Sequence, residues 1–137
     1  MIKWPITYTD YNGEEHTEDF YFNLNKAEIM ELNLKANDAY GEYLQRIVDQ
    51  RDGEKIAEAF KNLILKAYGE KSPDGKRFMK KDENGRPLAD KFAETEAYSV
   101  IFMELATDAD AAAAFVNGII PAKYSKEIEK QNHPALK

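Results

Sequence analysis

The chain contains no cysteine and only two histidines, His16 and His133, at opposite ends of 137 residues. The missing thiols exclude disulfides, thiolate nucleophiles, iron–sulfur clusters and cysteine-ligated zinc. Two distant imidazoles make a histidine-rich metal centre hard to assemble, so neither metal nor cofactor is expected. No segment approaches the ~20 consecutive apolar residues of a membrane-crossing helix. The opening Met1-Ile2-Lys3-Trp4-Pro5 runs into polar alternation rather than an apolar stretch, so no signal peptide is expected. Positive charge is also short, with 19 basic against 25 acidic side chains and a net charge of −6. That balance argues against general nucleic-acid binding, which needs cations to neutralise phosphates. Neither nucleic acid nor membrane is therefore an expected partner.

What is present is enough apolar material, 43% of residues, to bury one core. In the first 23 residues Ile6 and Tyr8 alternate with Thr7 and Thr9, and Phe20 and Phe22 follow the same period of two. Asn12-Gly13 lies between the runs, a pair suited to the positive φ of a type I′ hairpin turn. From residue 25 the period becomes helical. Asn25 and Glu28 read as a capping box for a helix through about Leu34. Asn37-Asp38 interrupts and can cap a second helix carrying Tyr40, Tyr43, Leu44, Ile47 and Val48. After Asp52-Gly53, Ile56, Ala59, Phe60, Leu63, Ile64 and Ala67 mark a third, with Gly69 placed to end it. Residues 70–87 read as a long polar connection with two turn signals, tacked down by Phe78 and Met79. A fourth helix is expected from Leu88 to Ala106, with Phe92, Tyr98, Ile101, Phe102 and Leu105 as its stripe. Thr107 and Asp110 look like the cap of a short alanine-rich helix through Val116, ended by Gly118 and stopped by Pro121. The expected fold is α+β, mainly α: a β-hairpin over 1–23 and about five helices over 25–118, in a single domain of residues 1–121. Residues 122–137 form a polar tail.

Motifs for chemistry fail when tested. Asp82-Glu83-Asn84-Gly85 resembles part of a calcium loop, but with Gly85 at position 6 the first and last ligand positions fall on Lys80 and Lys91. Aligning Gly75 puts Lys81 at the last position, which fails too. Turn chemistry is the reading that remains. Gly75-Lys76 lacks the earlier glycine and the following Ser or Thr of a phosphate-binding loop. Ser72, Ser99 and Ser125 have no nucleophile context. Glu14-Glu15 and Glu18-Asp19 fall in the hairpin alternation as solvated side chains. Lys76-Arg77 and Lys80-Lys81 lack the interleaved aromatics of a nucleic-acid surface. The two histidines are expected at the surface. No catalytic residue is assigned, and the chain is not expected to be an enzyme.

The wording of the sequence carries more. Thr7-Tyr8-Thr9-Asp10-Tyr11-Asn12-Gly13 and Phe20-Tyr21-Phe22-Asn23-Leu24-Asn25-Lys26-Ala27-Glu28 form its opening. Leu63-Ile64-Leu65-Lys66-Ala67-Tyr68-Gly69-Glu70-Lys71-Ser72-Pro73-Asp74-Gly75-Lys76-Arg77-Phe78 forms its middle. Phe92-Ala93-Glu94-Thr95-Glu96-Ala97-Tyr98, Phe102 to Ala112, and Phe115-Val116-Asn117-Gly118-Ile119-Ile120-Pro121 follow. Over about residues 6–121 these strings resemble the tail assembly chaperones of long-tailed, siphovirus-type phages and prophages of Gram-positive bacteria.

The resemblance implies a non-enzymatic factor of the host bacterial cytoplasm, absent from the mature virion. It would bind the phage tape measure protein and keep it soluble until the tail tube polymerises around it. The tail-tube protein and a second copy of the chain are further candidate partners. In this family a longer form is often made by frameshifting. A client surface is expected on Tyr98, Ile101, Phe102 and Leu105, with Phe78 and Met79 as a lid, because a groove between helices can cover the apolar stripe of a long helical client. The competing readings are a structural virion component for head–tail joining or the tail tube, a small enzyme, and a module that interferes with host regulation.

Overall fold

A computed structural model describes residues 1–120. Strands β1 (Ile2–Thr9) and β2 (Glu15–Phe22) pair antiparallel, with Ile2 opposite Phe22 and Thr9 opposite Glu15. Helices α1 (Lys26–Ala36), α2 (Tyr40–Asp49) and α3 (Gly53–Ala67) follow. The chain then returns to the sheet as β3 (Tyr68–Lys71) and β4 (Phe78–Met79). It ends in α4 (Leu88–Ala93), α5 (Glu96–Thr107) and α6 (Ala109–Ile119). The described part is thus α+β and mainly α, with six helices rather than five and a four-stranded sheet in the order β1-β2-β3-β4. The polar tail over 122–137 and His133 lie outside the described residues.

The period-2 reading of the hairpin holds. Trp4, Ile6, Tyr8, Phe20 and Phe22 share the face that meets the helices, while Lys3, Thr7, Thr17 and Asp19 face outward and are exposed. The turn itself differs from a type I′ turn. Asp10, not Asn12, organises it: Gly13 N–H donates to the Asp10 carbonyl at 3.0 Å, and Asn12 and Glu14 N–H both donate to Asp10 Oδ1 at 2.9 Å. Only Gly13 takes a positive φ, 82°. A carboxylate two residues ahead of Asn-Gly offers the backbone an alternative acceptor, and that lengthens the loop.

The same chemistry recurs in the long polar connection, at one of its two expected turns. In Asp82-Glu83-Asn84-Gly85-Arg86, Asn84 and Arg86 N–H donate to Asp82 Oδ1 at 2.8 and 2.9 Å, and Gly85 N–H donates to the Asp82 carbonyl at 3.0 Å. This is the expected turn chemistry. Residues 70–87 are nevertheless not a plain loop, because β3 and β4 form a second hairpin closed by Ser72. That hydroxyl is buried, donates to Asp74 at 2.6 Å and accepts Arg77 N–H at 3.0 Å. Lys80 ties this hairpin down. Its ammonium donates to the carbonyls of Asn23 at 2.8 Å and Lys66 at 2.5 Å, and Glu28 lies 3.5 Å away. The Lys66 carbonyl belongs to the last turn of α3, where a cation meets the negative helix end.

Four boundaries moved for identifiable reasons. Gly69 does not end α3 in a left-handed turn; it is a strand residue, and Tyr68 leaves the helix in extended conformation. The single helix expected over 88–106 is two, because Thr95 accepts the Tyr98 N–H and starts α5 anew. Asp108, one residue after Thr107, caps α6 by accepting from Asp110 and Ala111 N–H. Gly118 lies inside α6 rather than after it. The start of α2 is capped at a distance, the Tyr40 N–H donating to Asn33 Oδ1 at 2.8 Å, while Asn37 takes the left-handed C-cap of α1.

The core lies between the sheet and the helices. Phe22 and Phe115 meet edge to face at 5.2 Å, and Trp4 reaches Phe115 at 5.4 Å. Tyr68 stacks on Phe92 at 4.1 Å with an interplanar angle of 4°. Burial of Tyr68 among Phe20, Phe22 and Phe92 pushes its phenol up to about 12.

Candidate interaction groove

An apolar concavity of about 380 Å³ opens between α2 and α6. One wall is Gly41, Leu44, Gln45 and Val48, which repeat at the helical spacing of three and four. The facing wall is Ala109, Ala112, Ala113, Val116 and Ile120, with the same spacing. Phe60 of α3 closes the floor and is only 3% exposed. The concavity exists because of residue size. Glycine and alanine carry no side chain long enough to fill the space between two helices, so a shallow trough is left where Leu or Phe would have closed it. Among the described residues Glu42 is the one charged residue of its lining, joined by the polar Gln45 and Asn117. Gln45 in turn donates to Asp49 at 3.0 Å, so a second carboxylate stands beside that rim.

The residues expected to hold a client are divided by the fold. Ile101 is fully buried and Leu105 is 2% exposed; both belong to the core under the sheet, which withdraws them from any client surface in this conformation. Their neighbours on α5, Tyr98 and Phe102, are half-buried with ring centres 5.9 Å apart. Phe78 and Met79 form β4 and are held by pairing to β3, so they are part of a sheet edge rather than a loose lid. On α5 the more exposed side chain is Met103, at 56%. A helical stripe records which side chains share a face, not which face the rest of the fold covers, and here β1 and α3 cover the strongest one. The groove residues escaped sequence reading because alanines give no stripe. The available signal was their repetition at 109, 112 and 113 opposite a glycine.

A second concavity of about 410 Å³ between α2 and α3 is more polar. It holds the stacked Tyr40–Tyr43 pair and Arg46, which is already engaged by Asp38. At the hairpin tip Asp10, Glu14 and His16 bring potential ligand atoms within 4.8 Å of one another. Asp10 Oδ1 is occupied by two backbone N–H groups, and Oδ2 lies 2.6 Å from His16 Nε2. The contact staples the loop and is an ion pair whenever the imidazole is protonated: hydrogen bonding to the imidazole holds the Asp10 carboxyl below its ordinary value, and the carboxylate raises His16.

Comparison with known proteins agrees with the wording of the sequence. The model of a phage tail assembly chaperone family matches residues 1–137, and the chain belongs to that family. No curated protein and no solved structure matches it.

Proposed function

We propose that this member of the phage tail assembly chaperones binds the tape measure protein and keeps it soluble until the tail tube polymerises around it. The apolar groove between α2 and α6 is the observation that carries the reading. A long helical client exposes apolar stripes that associate in water, and a trough between two helices can cover such a stripe. Repeated modest contacts along one client give avidity while each remains displaceable by arriving tube subunits. The acidic balance keeps such a complex soluble. The role needs no bond-making chemistry, so the protein acts as a non-enzymatic factor in the cytoplasm of a bacterial host and leaves before the particle is complete.

The alternative role, a structural component of the head–tail joint or tube, makes the opposite prediction about the finished particle. Mass spectrometry of purified virions separates the two. Near absence supports the chaperone; stoichiometric presence defeats it.

A further inference from the structure

The geometry points to a specific class of occupant for the α2–α6 groove: an α-helical segment of the client that presents small and medium apolar side chains to the trough and a lysine or arginine to the Glu42 rim. This inference rests on the chaperone reading above and adds the site and the chemistry of recognition. Three observations carry it.

The walls come first. Gly41 on one side and Ala109, Ala112 and Ala113 on the other are short enough for a third helix to lie close against both, whereas larger side chains would hold it off. Each wall repeats at three and four residues, so a helical partner with the same period can interleave with both.

The floor comes second. Leu44 and Phe60 are buried, but Val48, Ala112 and Val116 are only half-buried and Ala113 is exposed. The groove therefore has a finished base and an unfinished upper layer. A partner stripe that buried these side chains would remove apolar surface from water.

Charge comes third and selects the partner. Glu42 lines the trough and Asp49 stands behind Gln45, with no cationic side chain lining it among the described residues. A cation flanking the incoming stripe meets that rim favourably, and a carboxylate there is repelled.

The test uses the full chain and two synthetic helix-forming peptides of about 20 residues, each with the same Leu/Ala stripe. One is flanked by lysines and the other by glutamates. The lysine-flanked peptide should bind more tightly than the glutamate-flanked one. Ala113→Trp, placed at an exposed position, should fill the trough, weaken binding about tenfold or more, and leave the melting transition cooperative. Glu42→Lys should reverse the order of the two peptides. Equal binding of both peptides, or binding untouched by Ala113→Trp, would overturn the assignment. A change of oligomeric state in Ala113→Trp would also overturn it, because the groove would then hold a second copy of the chain. The broader reading fails separately. If Ala113→Trp still keeps the tape measure protein soluble, only the groove falls. If the unmodified chain cannot do so, the chaperone role itself falls.

Discussion

Phe78 lays its ring against Gly69 so closely that no side chain fits between them. A Cβ on Gly69 would stand 2.5 Å from the Phe78 ring and 2.5 Å from the Met79 carbonyl oxygen. The backbone oxygen cannot swing aside as a side chain could. Gly69→Ala should therefore force β3 and β4 apart and cost about 1–3 kcal/mol. Gly118 provides the control. A Cβ there would press on Ile2 Cγ2, also at 2.5 Å, but Ile2 is a half-buried side chain at the start of β1. Alanine is worth about 1 kcal/mol over glycine inside a helix. Gly118→Ala should thus cost less than Gly69→Ala, although Ile2 must shift at the end of its strand, and denaturant melts of the two variants check the order.

Lys80 supplies a second test of the β3–β4 hairpin. Burial holds its ammonium below the ordinary lysine value despite the favourable pull of Glu28. Lys80→Met keeps much of the apolar stem but leaves the Asn23 and Lys66 carbonyls without their donor. A loss of about 1–3 kcal/mol is expected. Faster amide exchange should appear in β3 and β4 before it appears in the α5 core.

The Asp10–His16 pair predicts a pH window. His16 is raised from 6.5, so its contribution is complete below 6.5 and fades as pH climbs through the folded value. Asp10 is lowered from 3.8, so its contribution is complete above 3.8 and fades as pH falls through the folded value. The staple is therefore strongest between these limits. NMR titration of the His16 ring should give a midpoint above 6.5, and Asp10→Ala should bring it back down. An unmoved midpoint would show that the 2.6 Å contact is not an ion pair in solution.

Ile101 and Phe102 separate core from surface on one helix. Ile101→Ala should cost about 2–5 kcal/mol, because a fully buried side chain leaves a cavity. Phe102→Glu places a charge on a half-buried position and should leave a cooperative melt. If it also abolishes co-purification of the client, α5 contributes to binding beside the groove. A collapsed melt would show that Phe102 is core.

Much of this was legible in the sequence, for local reasons. Alternation at Ile6, Tyr8, Phe20 and Phe22 depends only on the pleat, and the Asn25–Glu28 capping box on four consecutive residues; both are present as read. The stripe from Ile56 to Ala67 also formed the expected helix. What escaped depends on residues far apart in the chain. Gly69 reads as a helix stop until Tyr21 is seen opposite it in the sheet. Ile101 and Leu105 read as an available stripe until α3 and β1 are packed over them. The groove is least legible of all, since it consists of volume that Gly41, Ala109, Ala112 and Ala113 do not fill.

The central claim is that this chain keeps the tape measure protein in solution. Co-expression of the two in a bacterial host, scored as the soluble fraction of the tape measure protein, tests it most directly. The account predicts a tape measure protein that is largely insoluble alone, soluble with the unmodified chain, and insoluble again with Ala113→Trp. A soluble fraction that is the same with and without the chain would contradict it.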